Sequence, residues 1–128
     1  MLKKTVTYVD FDGNERTEDF YFNFTEQEIA EMELSTEGGF RAMIERITAA
    51  KSQKELIDLF KGLILAAYGV KSADGKKFVK NDAVREDFMS TQAFSDIYME
   101  LVTDAEKASA FFAGVVPKEK KPAMTVAK

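Results

Sequence analysis

The first 24 residues constrain the fold most, because a turn signal there separates two runs rich in strand-forming residues. The pair Asp12-Gly13 lies between residues 5–11 and residues 17–24. It predicts a β-hairpin with a two-residue turn in which both turn positions have positive φ. In the second run an aromatic residue recurs at every second position, which places three rings on one face: Phe20, Phe22 and Phe24. A lone hairpin is marginally stable in water, so the chain or a partner must cover this face.

Beyond residue 24 the apolar spacing becomes that of amphipathic helices. Thr25 and Glu28 form a capping box that begins the first helix. Apolar residues spaced three and four apart predict a second helix around residues 40–47. Ser52 and Glu55 form another capping box before the most apolar stretch of the chain, and this third helix is predicted to be buried. Gly69 is expected to end it in the left-handed conformation.

The second half of the chain predicts a short connection followed by further helices. Asp74-Gly75 between lysines indicates an exposed loop or a tiny hairpin, with Phe78 as its anchor. Apolar spacing predicts helices over residues 82–89 and 92–102. Thr103 and Glu106 are expected to cap a last helix, which contains Phe111 and Phe112 and stops before Pro117.

These patterns together predict an α+β fold that is mainly α, with the N-terminal β-hairpin packed on a bundle of about five or six short helices. Residues 1–117 are expected to form a single globular domain, with the hairpin in 1–24 and the helices in 25–116. Residues 118–128 are polar and have a charge of +3, which leaves −7 for residues 1–117. We expect this segment to be a disordered basic tail.

The composition removes most kinds of active site. Among the 128 residues there is no His and no Cys, which excludes the usual nucleophile pairs, His/Cys zinc sites, iron–sulfur clusters and disulfides. The chain has 22 acidic residues, so carboxylate pairs arise freely, and the helix patterns place them on solvated faces. We therefore predict no enzyme, and no catalytic, cofactor-binding or metal-ligating residue. A small carboxylate-metal hydrolase is the least favoured alternative.

Charge and hydropathy also limit the partners. An acidic body disfavours nucleic acid, because neutralising phosphates requires a basic face. No stretch of the sequence approaches the 18 or so apolar residues of a membrane span, so no membrane partner is expected. The N-terminal lysines precede no long apolar run. These observations predict a cytoplasmic protein.

Six segments in a particular order resemble the tail assembly chaperones of long-tailed, siphovirus-type bacteriophages and prophages. They span nearly all of residues 1–117: Phe20-Tyr21-Phe22-Asn23-Phe24 followed by Thr25-Glu26-Gln27-Glu28, the helix in 60–68, the loop YGVKSADGKKFVK, the F-x-x-T-x-A-F run in 88–94, Glu100-Leu101-Val102-Thr103-Asp104, and Phe111-Phe112-Ala113-Gly114-Val115-Val116-Pro117. No single segment is a strong motif. The resemblance rests on their order and spacing.

The resemblance implies a protein that binds other proteins and catalyses nothing. Such chaperones hold the long, aggregation-prone tape-measure protein in solution and help recruit tail tube subunits during virion assembly. The tape-measure protein and the tail tube protein are therefore the expected partners, and self-association is expected because a coat must repeat along its client. The alternative is a structural virion accessory protein, a component of the tail or capsid.

An apolar surface is needed to bind an amphipathic client. The sequence offers two candidates, the aromatic face of the hairpin and the last helix, so the predicted partner-binding residues are Phe20, Phe22, Phe24, Phe111 and Phe112. For Phe111 the spacing with Ala108 and Val115 favours packing into the core.

Overall fold

The computed structural model describes residues 1–35, 45 and 53–117. Within them the chain forms, in order, β1 Leu2–Val9, β2 Glu15–Phe22, α1 Glu26–Ser35, α2 Gln53–Ala67, β3 Tyr68–Lys71, β4 Phe78–Val79, α3 Asp82–Met89, α4 Gln92–Thr103 and α5 Ala105–Val115. The predicted α+β, mainly α class with an N-terminal hairpin is confirmed. The predicted helix at 40–47, the capping box at Ser52 and the tail at 118–128 lie outside the described residues. The division into one domain and a tail stays a prediction.

The first hairpin has the predicted strands, but its turn differs from the prediction. Strands β1 and β2 pair from Leu2↔Phe22 to Val9↔Glu15, and the pairing closes with Asp10 N–H donating to the Asn14 carbonyl at 2.9 Å. Only Gly13 has positive φ, at 85°, so the two-residue turn with two positive φ values is wrong. A three-residue loop that ends with one left-handed glycine is the next most common hairpin connection after the two-residue turns.

The second hairpin joins the first, which the sequence did not predict. The tiny hairpin around Asp74-Gly75 is confirmed, since β3 and β4 pair as Val70↔Val79 and Lys71↔Phe78. In addition β3 pairs with β2 through Phe22↔Tyr68, which gives one antiparallel sheet in the order β1-β2-β3-β4. Directly paired residues share a face, so the Phe22 and Tyr68 rings lie on the same face, with centroids 5.8 Å apart.

Gly69 lies inside β3 and does not end a helix. Helix α2 ends at Ala67, and Gly69 has no positive φ, so the predicted left-handed position is wrong. The glycine is needed for another reason. A Cβ atom there would lie only 2.7 Å from Cε2 of the Phe78 ring, which covers Gly69 from the neighbouring strand.

Aromatic rings form the centre of the core between the sheet and the helices. Phe88 of α3 contacts four other rings, with centroid distances of 4.0 Å to Tyr68, 5.3 Å to Phe94, 5.4 Å to Phe20 and 5.9 Å to Phe22. Phe22 also meets Phe111 of α5 at 5.1 Å. Removing one such buried ring costs about 3–5 kcal/mol in comparable cores. The described core contains no buried charged or polar residue.

The helix starts follow sequence signals with one correction. The capping box of α1 is confirmed, because Glu28 N–H donates to Thr25 Oγ1 at 3.2 Å and Thr25 N–H donates to the Glu28 carboxylate at 2.8 Å. The cap of α5 is Asp104, and not Thr103 as predicted. Its carboxylate accepts from the N–H groups of Glu106 and Lys107, and a carboxylate also favours the positive end of a helix dipole.

The two residues after β2 donate backbone hydrogen bonds to the C-terminal ends of two helices. Asn23 N–H donates to the Ala67 carbonyl at 2.9 Å, and Phe24 N–H donates to the Val115 carbonyl at 2.8 Å. The last carbonyls of a helix have no partner within it, so these bonds satisfy the ends of α2 and α5. They also explain why β2 stops at Phe22, two residues before the predicted end.

Candidate partner-binding surface

Four of the five predicted partner-binding rings lie in the core. Phe22 is fully buried, and Phe20, Phe24 and Phe111 are at most 8% exposed. The packing of Phe111 into the core is confirmed. These four rings can contact a partner only if the core opens. Phe20 and Phe22 lie on the sheet face that the helices cover, and Phe111 packs onto that face from α5. Partner binding by the five residues stays a prediction.

The fifth ring, Phe112, is only partly buried and lies at the surface. It stacks on Phe60 of α2 with centroids 5.2 Å apart and an interplanar angle of 29°. Ile57 lies one turn before Phe60 on α2, where residues three apart share a side of the helix, and it is 43% exposed. We call Ile57 and Phe112, with Phe60 beneath them, the Phe112 patch.

The tip of the first hairpin has a highly exposed ring that the sequence analysis did not single out. Phe11 is 78% exposed. The loop beneath it is held by Asp10, whose carboxylate accepts from the N–H groups of Asp12 and Asn14, both at 2.9 Å, and from Arg16 Nε at 2.5 Å. The Arg16 bond, with these backbone bonds, lowers the pKa of Asp10. The sequence feature that could have identified Phe11 is an aromatic residue placed between two acids at a turn.

A cavity of about 220 Å³ lies at the opposite end of β1, where the strand meets α4 and α5. Its lining consists of Leu2, Lys4, Glu100, Lys107, Ala110 and Phe111. Within it Glu100 pairs with two lysines, at 2.6 Å from Lys4 Nζ and 3.4 Å from Lys107 Nζ. The hydrogen bond from Lys4 lowers the pKa of the Glu100 carboxyl, and Lys107 adds to this effect against a smaller opposing effect of burial.

Lys80 joins the second hairpin to the start of α1. Its Nζ donates to the Asn23 carbonyl at 2.6 Å and to Glu28 Oε2 at 2.8 Å, and it lies 4.7 Å from the centroid of the Phe24 ring. The side chain is 9% exposed. Burial lowers the pKa of Lys80, although the contact with Glu28 raises it in part. The charge therefore fixes the position of α1 relative to the sheet.

Among residues 1–35, 45 and 53–117, no three His, Cys, Asp or Glu residues are grouped so that they could hold a metal ion. Within the same residues, no helix combines the length and the apolar character needed to cross a bilayer.

The chain matches a known protein family over nearly its whole length. The profile of a family described as phage tail assembly chaperone matches residues 1–126, which covers every described element and most of the basic tail. No curated protein and no solved structure matches the chain. Because the match covers nearly the whole sequence, the chain belongs to the phage tail assembly chaperone family.

Proposed function

We propose that this protein binds the tape-measure protein in the host cytoplasm, holds it in solution, and helps recruit tail tube subunits to it without catalysing a reaction. The family match over residues 1–126 is the observation that carries the proposal. The surface is compatible with it, since exposed apolar side chains occur on an otherwise acidic body. A net charge of −4 limits non-specific association between copies.

The Phe112 patch is our proposed client surface, in place of the whole predicted set of five rings. Phe112 and Ile57 offer apolar area on two neighbouring helices, and Phe60 supports the Phe112 ring from below. An amphipathic client helix binds such a surface through residues at helical spacing. In this proposal Phe20, Phe22, Phe24 and Phe111 act indirectly, as core residues. Phe22 packs on Phe111 and so holds α5 against the sheet, and Phe20 packs on Phe88 of α3.

Co-expression with the tape-measure protein tests the proposal. We expect soluble tape-measure protein only when the chaperone is present, and a complex that remains together in size-exclusion chromatography. Ile57→Glu should lower the yield of soluble client at least several-fold, because it places a charge in an apolar contact. Met99→Glu is the matched control, since Met99 is 52% exposed on a different helix. Client that stays soluble without the chaperone would contradict the proposal.

Purified phage particles separate the chaperone from a structural virion component. A chaperone leaves before the tail is complete, so we expect mass spectrometry of purified particles to find tube and tape-measure proteins without this chain. Its presence at a fixed number of copies per particle would instead identify an accessory component of the tail or capsid.

A further inference from the structure

The hairpin tip has the features of a preorganised contact residue. Phe11 is 78% exposed, and an aromatic side chain that becomes buried removes roughly 150–250 Å² from water. The three bonds to Asp10 hold the loop in one conformation, so little conformational freedom remains to be lost on binding. Asp10 and Asp12 flank the ring in the sequence and Glu15 follows the loop, so the three acids outnumber Arg16, the one cation at the tip, and make it both aromatic and acidic.

The cavity at the other end of β1 has complementary features. It is a depression open to solvent with a volume of about 220 Å³, and a closed apolar cavity of roughly 150 Å³ binds benzene, so the space is on the scale of a phenyl ring. Leu2, Ala110 and Phe111 supply apolar contact, and Lys4 and Lys107 outnumber Glu100 in the lining. The cavity is thus apolar and basic.

These two features lie too far apart to meet within one molecule. Strand β1 runs through eight residues between them, and at about 3.3 Å per residue this separates tip from cavity by roughly 25 Å. A contact between copies is therefore of the heterologous type, in which two different surfaces meet. Such a contact leaves a free tip and a free cavity at the ends of every assembly, so it repeats.

We propose that the Phe11 tip of one copy inserts into the cavity beside Leu2 of the next copy, so that copies join head to tail. This inference rests on the proposed function for its biological setting, because it supplies the self-association that a repeating coat requires. The contact itself needs no client. It pairs the acidic tip with Lys4 and Lys107 and buries the most exposed ring of the described residues.

Sedimentation velocity of the purified full chain without client tests the contact. The average mass of the wild type should rise with concentration and pass the mass of a dimer. Phe11→Ser removes the tip, and Ala110→Trp fills the cavity from an exposed helix position. Each should weaken association roughly thirty-fold or more, as loss of a central aromatic contact does. Lys107→Glu is a second cavity variant that needs no added volume, and Met89→Ser is the control at an exposed residue outside both surfaces.

Mixing the two defective variants is the decisive measurement. Phe11→Ser retains a cavity and Ala110→Trp retains a tip, so their mixture should form a dimer and stop there. The proposal is overturned if Phe11→Ser associates as the wild type does, if the wild type stays monomeric, or if the mixture stays monomeric while both variants keep native circular dichroism. Loss of client binding by Phe11→Ser with unchanged self-association would assign the tip to the client and also overturn it. Failure of the co-expression test alone would remove the proposed function and leave the contact standing.

Discussion

Single charged residues in this protein stabilise the contacts between its secondary-structure elements. Lys80 is the clearest case, because one ammonium group contacts a strand end, a helix cap and an aromatic ring. Its carboxylate partner Glu28 belongs to the capping box of α1 at the same time. The sequence showed the capping box, since Thr25 and Glu28 are three residues apart. It could not show Lys80, whose approach depends on how the second hairpin packs.

Glu28 should make the stability depend on pH. Burial by itself raises the pKa of this carboxyl, but the hydrogen bonds from Lys80 and Thr25 outweigh burial and lower the pKa below 4.5. The folded state therefore releases the Glu28 proton more readily than the unfolded state. The resulting stabilisation is present above pH 4.5 and is lost as the pH falls through the folded pKa.

Glu28→Gln tests this dependence. We expect the variant to be less stable than the wild type by about 1–2 kcal/mol near neutral pH, because the charge-assisted bonds are lost. The difference should shrink as the pH falls below 4.5. Urea unfolding at a series of pH values measures it, and Glu31→Gln on the same helix controls for the loss of one negative charge. A difference that is constant with pH would contradict the assignment.

At the scale of elements, local signals were predictable and distant pairings were not. The first hairpin follows from residues that are close together in the sequence, and the ends of its strands were predicted within three residues. The pairing of β3 with β2 joins Phe22 to Tyr68, and no local pattern specifies which strands meet across such a separation. The prediction that Gly69 adopts the left-handed conformation was wrong for the same reason, since the role of this glycine depends on Phe78 in another strand.

Gly69→Ala should destabilise the protein because its Cβ atom would meet the Phe78 ring. Displacing a packed ring costs about 1–3 kcal/mol. Gly62→Ala is the matched control, because Gly62 lies inside α2 with no atom within 4 Å of its Cβ position. Alanine there should stabilise the helix by about 0.5–1 kcal/mol. Thermal unfolding measures the melting temperatures of both variants. Equal changes in melting temperature would show that the Phe78 ring moves aside at no cost.

The same limit applies to the candidate site. Alternation of Phe20, Phe22 and Phe24 identified a common apolar side but could not identify what covers it, and the helices α3, α4 and α5 of the same chain do so. Phe11 was missed because its neighbours, Asp10, Asp12 and Gly13, are typical turn residues and the turn explained the segment without it. Its exposure becomes evident only once the loop geometry is known.

At the scale of the whole molecule, charge is divided between surfaces with different roles. Copies with a net charge of −4 repel one another, whereas the proposed head-to-tail contact brings Lys4 and Lys107 to an acidic tip. Salt screens both effects, since the Debye length falls from about 30 Å at 0.01 M to about 3 Å at 1 M. The salt dependence of self-association in the wild type therefore does not separate the attraction at the contact from the repulsion between whole copies.

A comparison of two lysine variants separates them. Lys107→Ala and Lys76→Ala change the net charge equally, but Lys76 is an exposed residue of the β3–β4 loop, away from the cavity. At low salt Lys107→Ala should weaken self-association a few-fold more than Lys76→Ala, as expected for one exposed ion pair. At 1 M salt, a concentration at which the Debye length is about 3 Å, the two should be alike. Equal effects at low salt would place Lys107 outside the contact.

The packing of Leu2 on Gly114 has a practical consequence for anyone who labels this protein. The start of β1 and the end of α5 are neighbours, so the chain enters and leaves the described fold at one place, beside the cavity. A label attached at residue 1 or at residue 117 begins on that same side, where it competes with an incoming hairpin tip. Labels for assembly experiments belong instead on the β3–β4 loop.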